Sequence, residues 1–238
     1  METIALMIIL FAGGLIQGAT GFGMAMVTTP FLVLILPVKT ASIVLLLTAY
    51  VNVILLFYPV RKHIRAKVIL PVVAGSIIGS SVGIYALTTF DAALLTYILG
   101  YCLIAFAVYF AFAVDKIKIK ATSGNGLLIG LLSSVLGGMF NISGPPKIAY
   151  FYSATTSKEE YMASNQAVNI ITMTYSIGLH IVLGNITTEV LKLSGTALVA
   201  ALLGTCAGYR IFKAIRKKAL NIAISAIMSV MGVLLLIQ

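Results

Sequence analysis

The sequence predicts an all-α, polytopic integral membrane protein made of two inverted repeats, each a re-entrant, broken-helix hairpin followed by three transmembrane helices. Three observations lead there. Hydrophobic residues are 61% of the 238 and charged residues only 9%, against roughly 25% charged in soluble proteins, and the mean hydropathy is +1.11. Several apolar stretches reach the length of about 20 residues that a hydrocarbon core demands. Two glycine-rich interruptions, Gln17-Gly18-Ala19-Thr20-Gly21-Phe22-Gly23 and Gly137-Gly138-Met139-Phe140-Asn141-Ile142-Ser143-Gly144-Pro145-Pro146-Lys147, fall at matching places in the two halves.

The first apolar run, Ile4 to Ile16, follows Met1-Glu2-Thr3, which has neither a positive n-region nor a cleavage pattern, so the mature chain is expected to keep residue 1. It meets the first interruption, and a second run, Met24 to Leu36, ends at Pro37. Each run is about 13 to 16 residues, short for a crossing at about 1.5 Å per residue, which suggests a re-entrant hairpin with its glycine tip inside the membrane. Spans are expected at 39 to 59, 68 to 89 and 92 to 114. The linker 115 to 125 leads into the short run Gly126 to Leu136. There the Gly137-Gly138 pair and Gly-Pro-Pro are expected to break the helix, because glycine destabilises it and proline removes a donor. A short piece from Ile148 to Ala154 follows, then spans at 161 to 183, 190 to 209 and 219 to 237.

The halves therefore read as a first repeat over 1–114, a cytoplasmic linker over 115–125 and a second, inverted repeat over 126–238, together one integral membrane domain. Pro30 aligns with Pro146 and Asn52 with Asn169 at nearly the same offset. Gly75, Gly79 and Gly83 align with Ala200, Gly204 and Gly208, a four-residue step of small side chains that lets helices approach closely. Most of the 16 Lys and Arg fall in loops 61 to 67, 115 to 125 and 210 to 218, whereas Gly184 to Glu189 carries none. The positive-inside rule places those basic loops in the cytoplasm and both termini outside it, provided each hairpin enters and leaves on one side.

This charge distribution accounts for the formal net charge of +10 without nucleic acid as a partner. Membrane lipid is the partner it implies. Cys102 and Cys206 have no metal or redox spacing and read as small packing residues. The sequence offers no metal-ligand cluster, no cofactor motif and no catalytic constellation, and its six acidic residues lie near predicted span ends, so an enzyme is not expected.

Backbone groups freed by a break at bilayer depth need protein, water or ligand as partners, so the two interruptions are the candidate site. Helix N-termini there favour an anion, making a small anionic substrate the expected ligand, with transport coupled to a proton or to sodium. In the first half the candidates are Gln17, Thr20, Gly21, Phe22, Gly23 and Asn52; in the second, Gly138, Asn141, Ser143, Gly144, Pro145, Lys147, Asn165 and Asn169. Lys147 either pairs with the anion, lines a wet cavity or snorkels to the cytoplasmic surface. Asn165 and Asn169 share a helix face beside Gln166, for ligand contact or for interhelical hydrogen bonding. Thr20 and Gln17 have local capping as their structural role. His180 reads as a packing residue or a proton relay, Glu159 and Glu160 as first-turn acids, and Tyr150, Tyr152 and Tyr161 as interfacial anchors.

Residues 17 to 23 with Pro30 beyond them, the basic Arg61-Lys62-His63-Ile64-Arg65 loop, and Gly137 to Pro146 together resemble the sulfite exporter TauE/SafE family of prokaryotic membrane transporters, nearly throughout the chain. The resemblance implies movement of small sulfur-containing anions, such as sulfite, sulfonates, sulfoacetate or thiosulfate, across a prokaryotic cytoplasmic membrane. Two places depart from the family pattern. Asn141-Ile142-Ser143 stands where a more glycine-rich run is frequent, and Lys147 where an apolar residue is common. The reading is a secondary transporter, most simply an exporter. A gated anion channel, an importer of another small organic anion and a non-transporting membrane subunit are the alternatives, and oligomeric state is left open.

Overall fold

The computed structural model describes residues 2–112, 119–211 and 217–237. In chain order these form α1 (Glu2–Thr20), α2 (Met24–Val33), α3 (Val38–Phe57), a short 3-10 helix (Tyr58–His63), α4 (Ala66–Thr89), α5 (Ala92–Phe112), α6 (Ser123–Phe140), α7 (Gly144–Ala154), α8 (Lys158–Val182), α9 (Thr188–Ile211) and α10 (Lys217–Ile237). No strand occurs among the described residues. Among the described residues, six helices are long and apolar enough to cross a membrane: α1, α3 with the 3-10 turn, α4, α5, α6 and α9. Helix α8 has the length for its expected crossing, 25 residues, but spends part of it on Ser164-Asn165-Gln166 and Asn169.

Two expectations are corrected. Helix α1 does not stop at Ile16 but continues to Thr20, and α6 begins at Ser123 and runs through Gly137-Gly138 to Phe140, so neither first arm is too short to cross. The second break is therefore Asn141-Ile142-Ser143, and Gly138 lies inside a helix. A helical glycine costs only about 1 kcal/mol relative to alanine, and here it admits a neighbour: a Cβ on Gly138 would come 2.6 Å from the Ser80 carbonyl oxygen. Only the return arms, α2 with 10 residues and α7 with 11, are short. The basic residues Lys116, Lys118, Lys213 and Arg216 lie outside the described residues.

The chain divides into two compact units that interleave its halves: one comprises Met1–Asn52, Thr89–Ala113 and Ile186–Gln238, the other Val53–Thr88 and Val114–Asn185. In the first unit α9 runs alongside α1 in the same direction. A Cβ on Gly204 or Gly208 would meet the Phe11 or Leu15 carbonyl oxygen at 2.1 and 2.0 Å. In the second unit α4 packs on α6 in the same way, and Gly75, Gly79 and Gly83 face the carbonyls of Leu127, Leu131 and Val135 at 2.0 to 2.2 Å. The aligned glycine steps thus serve one purpose in both units, bringing two backbones together where any side chain would collide. Pro30 and Pro146, by contrast, are not equivalent: Pro30 is inside α2, Pro146 in the first turn of α7.

In each unit the return arm folds back on its first arm. Gly13 of α1 faces Met24 and Thr28 of α2, and Gly126 of α6 faces the Tyr150 ring of α7. Tyr150 and Tyr161 are buried, so only Tyr152, 42% exposed, has the exposure expected of an anchor. Tyr152 stacks on Tyr161 at 4.4 Å. At the same α7–α8 corner, Arg65 reaches the Ala154 carbonyl at 3.4 Å and the Glu160 carboxylate at 3.5 Å. Hydrogen bonds from the Thr156 N–H and hydroxyl, with Arg65 beside them, hold the Glu160 carboxyl below its usual 4.5. A lowered carboxylate stabilises the fold above its unfolded value and ceases to as pH falls through the folded one. Glu160→Gln should therefore lower the melting temperature at neutral pH and leave it unchanged in acid.

The glycine faces give a second prediction. Gly79→Ala forces two backbones apart and should destabilise the protein by roughly 1–3 kcal/mol. Gly195→Ala, where a Cβ meets nothing within 4 Å, should stabilise it slightly. Thermal unfolding in detergent distinguishes them.

Candidate functional site

The two breaks satisfy their backbones differently. In the first, the Gly21 N–H reaches the Gln17 carbonyl at 2.7 Å and ends α1. Gly21 (φ 78°) and Gly23 (φ 91°) take the left-handed conformation that glycine adopts without penalty. The Thr20 hydroxyl donates to the Ile16 and Phe22 carbonyls and accepts from the Phe22 N–H at 3.1 Å, which is the local capping role. Phe22 stacks on Phe110 with ring centroids 6.0 Å apart. Asn52 is fully buried; its amide donates to the Met24 sulfur at 3.4 Å, and its oxygen accepts from Thr205 at 3.0 Å. Of this set only the Gln17 Oε1 is buried without a hydrogen-bond partner. The first break is thus largely self-contained, with an apolar ring at its tip.

The second break carries a charge. Asn141 ends α6 in the left-handed conformation (φ 59°), its N–H bonded to the Gly137 carbonyl at 2.9 Å, which is how helices are commonly closed. Ser143 precedes α7, and its side chain makes no capping hydrogen bond. Gly144 (φ 67°) turns the chain, and Pro145-Pro146 set the first helical turn. Those prolines remove two of the roughly four N–H groups a helix start leaves free. The N-terminus of α7 thus offers fewer backbone donors than expected, and the charged group beside it is on a side chain.

That side chain is Lys147. It is 3% exposed, and its ammonium donates to the Asn169 Oδ1 at 2.5 Å, so it is held within its unit rather than extended to a surface. Asn169 in turn donates to the Gln166 Oε1 at 3.2 Å, which fixes the amide with its oxygen toward the ammonium. No carboxylate pairs with Lys147 among the described residues. One turn earlier on α8, Asn165 is buried and its Oδ1 lacks a partner; so do the hydroxyls of Ser164 beside it and of Ser133 on α6. The structure thus joins Lys147 to Asn169 but gives Asn165 no bond to either. The Ser164 hydroxyl was missed by sequence reasoning, although its position next to Asn165-Gln166 in an otherwise apolar span was a signal.

His180, 2% exposed, pairs through Nδ1 with the Asn185 amide at 3.1 Å just past the end of α8, a packing arrangement at the helix terminus. Among the described residues no group of His, Cys, Asp and Glu is arranged to hold a metal.

The Lys147–Asn169 contact is open to test by a double-mutant cycle. Asn169→Leu leaves the buried Lys147 amine without its acceptor and should cost roughly 1–3 kcal/mol. Adding Lys147→Met should recover most of that loss in thermal unfolding.

A family model described as Sulfite exporter TauE/SafE matches residues 6–235. No curated protein and no solved structure matches the chain.

Proposed function

Because the chain belongs to the sulfite exporter TauE/SafE family, we propose that it is a secondary transporter exporting small sulfur-containing anions, such as sulfite, sulfonates, sulfoacetate or thiosulfate, across a prokaryotic cytoplasmic membrane. The two broken hairpins, α1–α2 and α6–α7, are taken as the re-entrant arms of an inverted repeat, and transport as alternating access. The observation that carries the reading is the buried Lys147 amine at the α6–α7 break, with a neutral amide as its partner and, among the described residues, no carboxylate.

An isolated cation in a low-dielectric interior attracts an anion strongly, because water is not there to compete. Ser143, next to the break, supplies a hydroxyl that caps nothing. Asn165 and Ser164 contribute unpartnered polar atoms on α8. A sulfur oxyanion offers several acceptor oxygens, and the Lys147 ammonium and the hydroxyls can donate to them. Asn141 and Gly144 shape the turn, and Gly138 sets how closely α6 meets α4. In the first half, Gln17 contributes a polar atom, while Thr20, Gly21, Phe22, Gly23 and Asn52 hold the tip.

Purified protein in proteoliposomes should accumulate thiosulfate, sulfite or methanesulfonate against a concentration gradient, and carboxylates of similar size much less. Flux that only runs downhill would make it a channel. Lys147→Ala should reduce anion flux at least about tenfold while the protein still folds, since a charged group in a dry site contributes more than about 1.4 kcal/mol to binding. Gly144→Leu, forced into left-handed backbone, should remove activity.

A further inference from the structure

We propose that Lys147 is the proton carrier of this transporter: an ammonium while the anion is bound, a neutral amine when the site is empty, so that a proton travels with each anion. The inference rests on the transporter reading and adds its coupling ion. It starts from the surroundings of the amine. An ammonium removed from water is stable only when something compensates its charge. The fixed groups around Lys147 do not. Its hydrogen-bond partner is the neutral Asn169 oxygen, and its place in the first turn of α7 puts it at the positive end of that helix's dipole. Both features make the empty, charged site costly, and a bound anion reverses that.

The hydrogen bonding tolerates either charge state. Asn169 is an acceptor toward Lys147 because its amide nitrogen faces away and donates to the Gln166 Oε1. An NH3 group and an NH2 group both donate to such an oxygen, so losing a proton does not break the contact. A carboxylate in the same place would lock the ammonium in its charged form.

Other titratable groups on the packed elements have other partners or lie toward the ends of their helices. Helix α6 has none. On α7, the Tyr150 hydroxyl points to the Thr122 carbonyl, and Tyr152 is exposed at the far end. On α8, Lys158, Glu159 and Glu160 sit in the first turn, Glu160 being roughly 13 Å along the axis from Asn169 and bound to Thr156 and Arg65. Tyr161 also lies in that end of α8. Toward its other end, Tyr175 pairs with Ser81 and His180 with Asn185.

The step balances. The amine takes one proton from the side on which the anion enters, and anion and proton leave together; the loaded site is neutral with a monoanion such as methanesulfonate and carries one net negative charge with a dianion such as thiosulfate.

The test uses thiosulfate and methanesulfonate, which stay fully ionised at working pH, in proteoliposomes containing the full chain and a trapped pH indicator. Net anion uptake should acidify the lumen in proportion to the anion moved. Anion uptake without proton movement, or driven by sodium at constant pH, overturns the proposal while sparing the transporter reading. Absence of flux for either anion overturns both. Lys147→Arg supplies an independent arm, because guanidinium does not deprotonate: anion-for-anion exchange should persist while net flux falls at least about tenfold. Net flux equal to wild type in a folded Lys147→Arg protein also overturns it. The wild-type proton measurement stands even if that variant does not fold.

Discussion

A helix that stops leaves backbone N–H and C=O groups that need partners, and the design of this chain follows from where it resolves that constraint. It resolves it twice, by different means. Thr20 takes both roles, donor and acceptor, within one turn of its own break. At the second break, Asn141 closes α6 in left-handed backbone, and Pro145-Pro146 begin α7 by removing donors instead of satisfying them. What remains polar there is side-chain chemistry, which substitution can tune without remaking the turn.

Placing such breaks requires rigid neighbours, and the glycine faces supply them. Backbones that approach until a Cβ would lie about 2 Å from a carbonyl oxygen cannot slide past each other without opening a void or a clash. Each unit has one such pair, α1 with α9 and α4 with α6. Each pair includes the long first arm of a broken hairpin, so the arm is fixed against a helix from the other half of the chain while its short return arm packs on it. Charge at the α7–α8 corner, where Arg65 joins Ala154 and Glu160, fixes the far end of α7 from Lys147.

Much of this was legible in the sequence, and the reasons differ by feature. Apolar length gave α3, α4, α5 and α9, because crossing a hydrocarbon core sets a minimum run. The Gly75-Gly79-Gly83 and Gly204-Gly208 steps were readable as contact faces, since a repeated small residue has few other uses in a lipid-facing helix. The end of α6 was not. Gly137-Gly138 looks like a breaker taken alone, and only the Ser80 backbone, far away in sequence, makes glycine there a packing residue. The partners of the two asparagines were unreadable for the same reason: Thr205 and Met24 reach Asn52 only through the fold. Asn165 to Asn169 on α8 were legible as unusual, because amides in a membrane helix need partners, but not which of them would hold Lys147.

The two asparagines are where the halves part company. Asn52 and Asn169 align in sequence, and each contacts the return arm of its own broken hairpin, Asn52 at Met24 and Asn169 at Lys147. Around Asn52 every partner is neutral, and both ends of the amide are engaged, so that site is complete as it stands. Around Asn169 the same amide faces the Lys147 amine, which has no carboxylate partner among the described residues. A side chain kept only to hold helices together would do better as the neutral version, because a buried ion pair or lone ion is seldom the more stable choice. A buried lysine in one half and a methionine at the corresponding contact in the other are therefore not explained by packing alone, and under the proposed transport role the cost of the charge is relieved by the arrival of a negative ion.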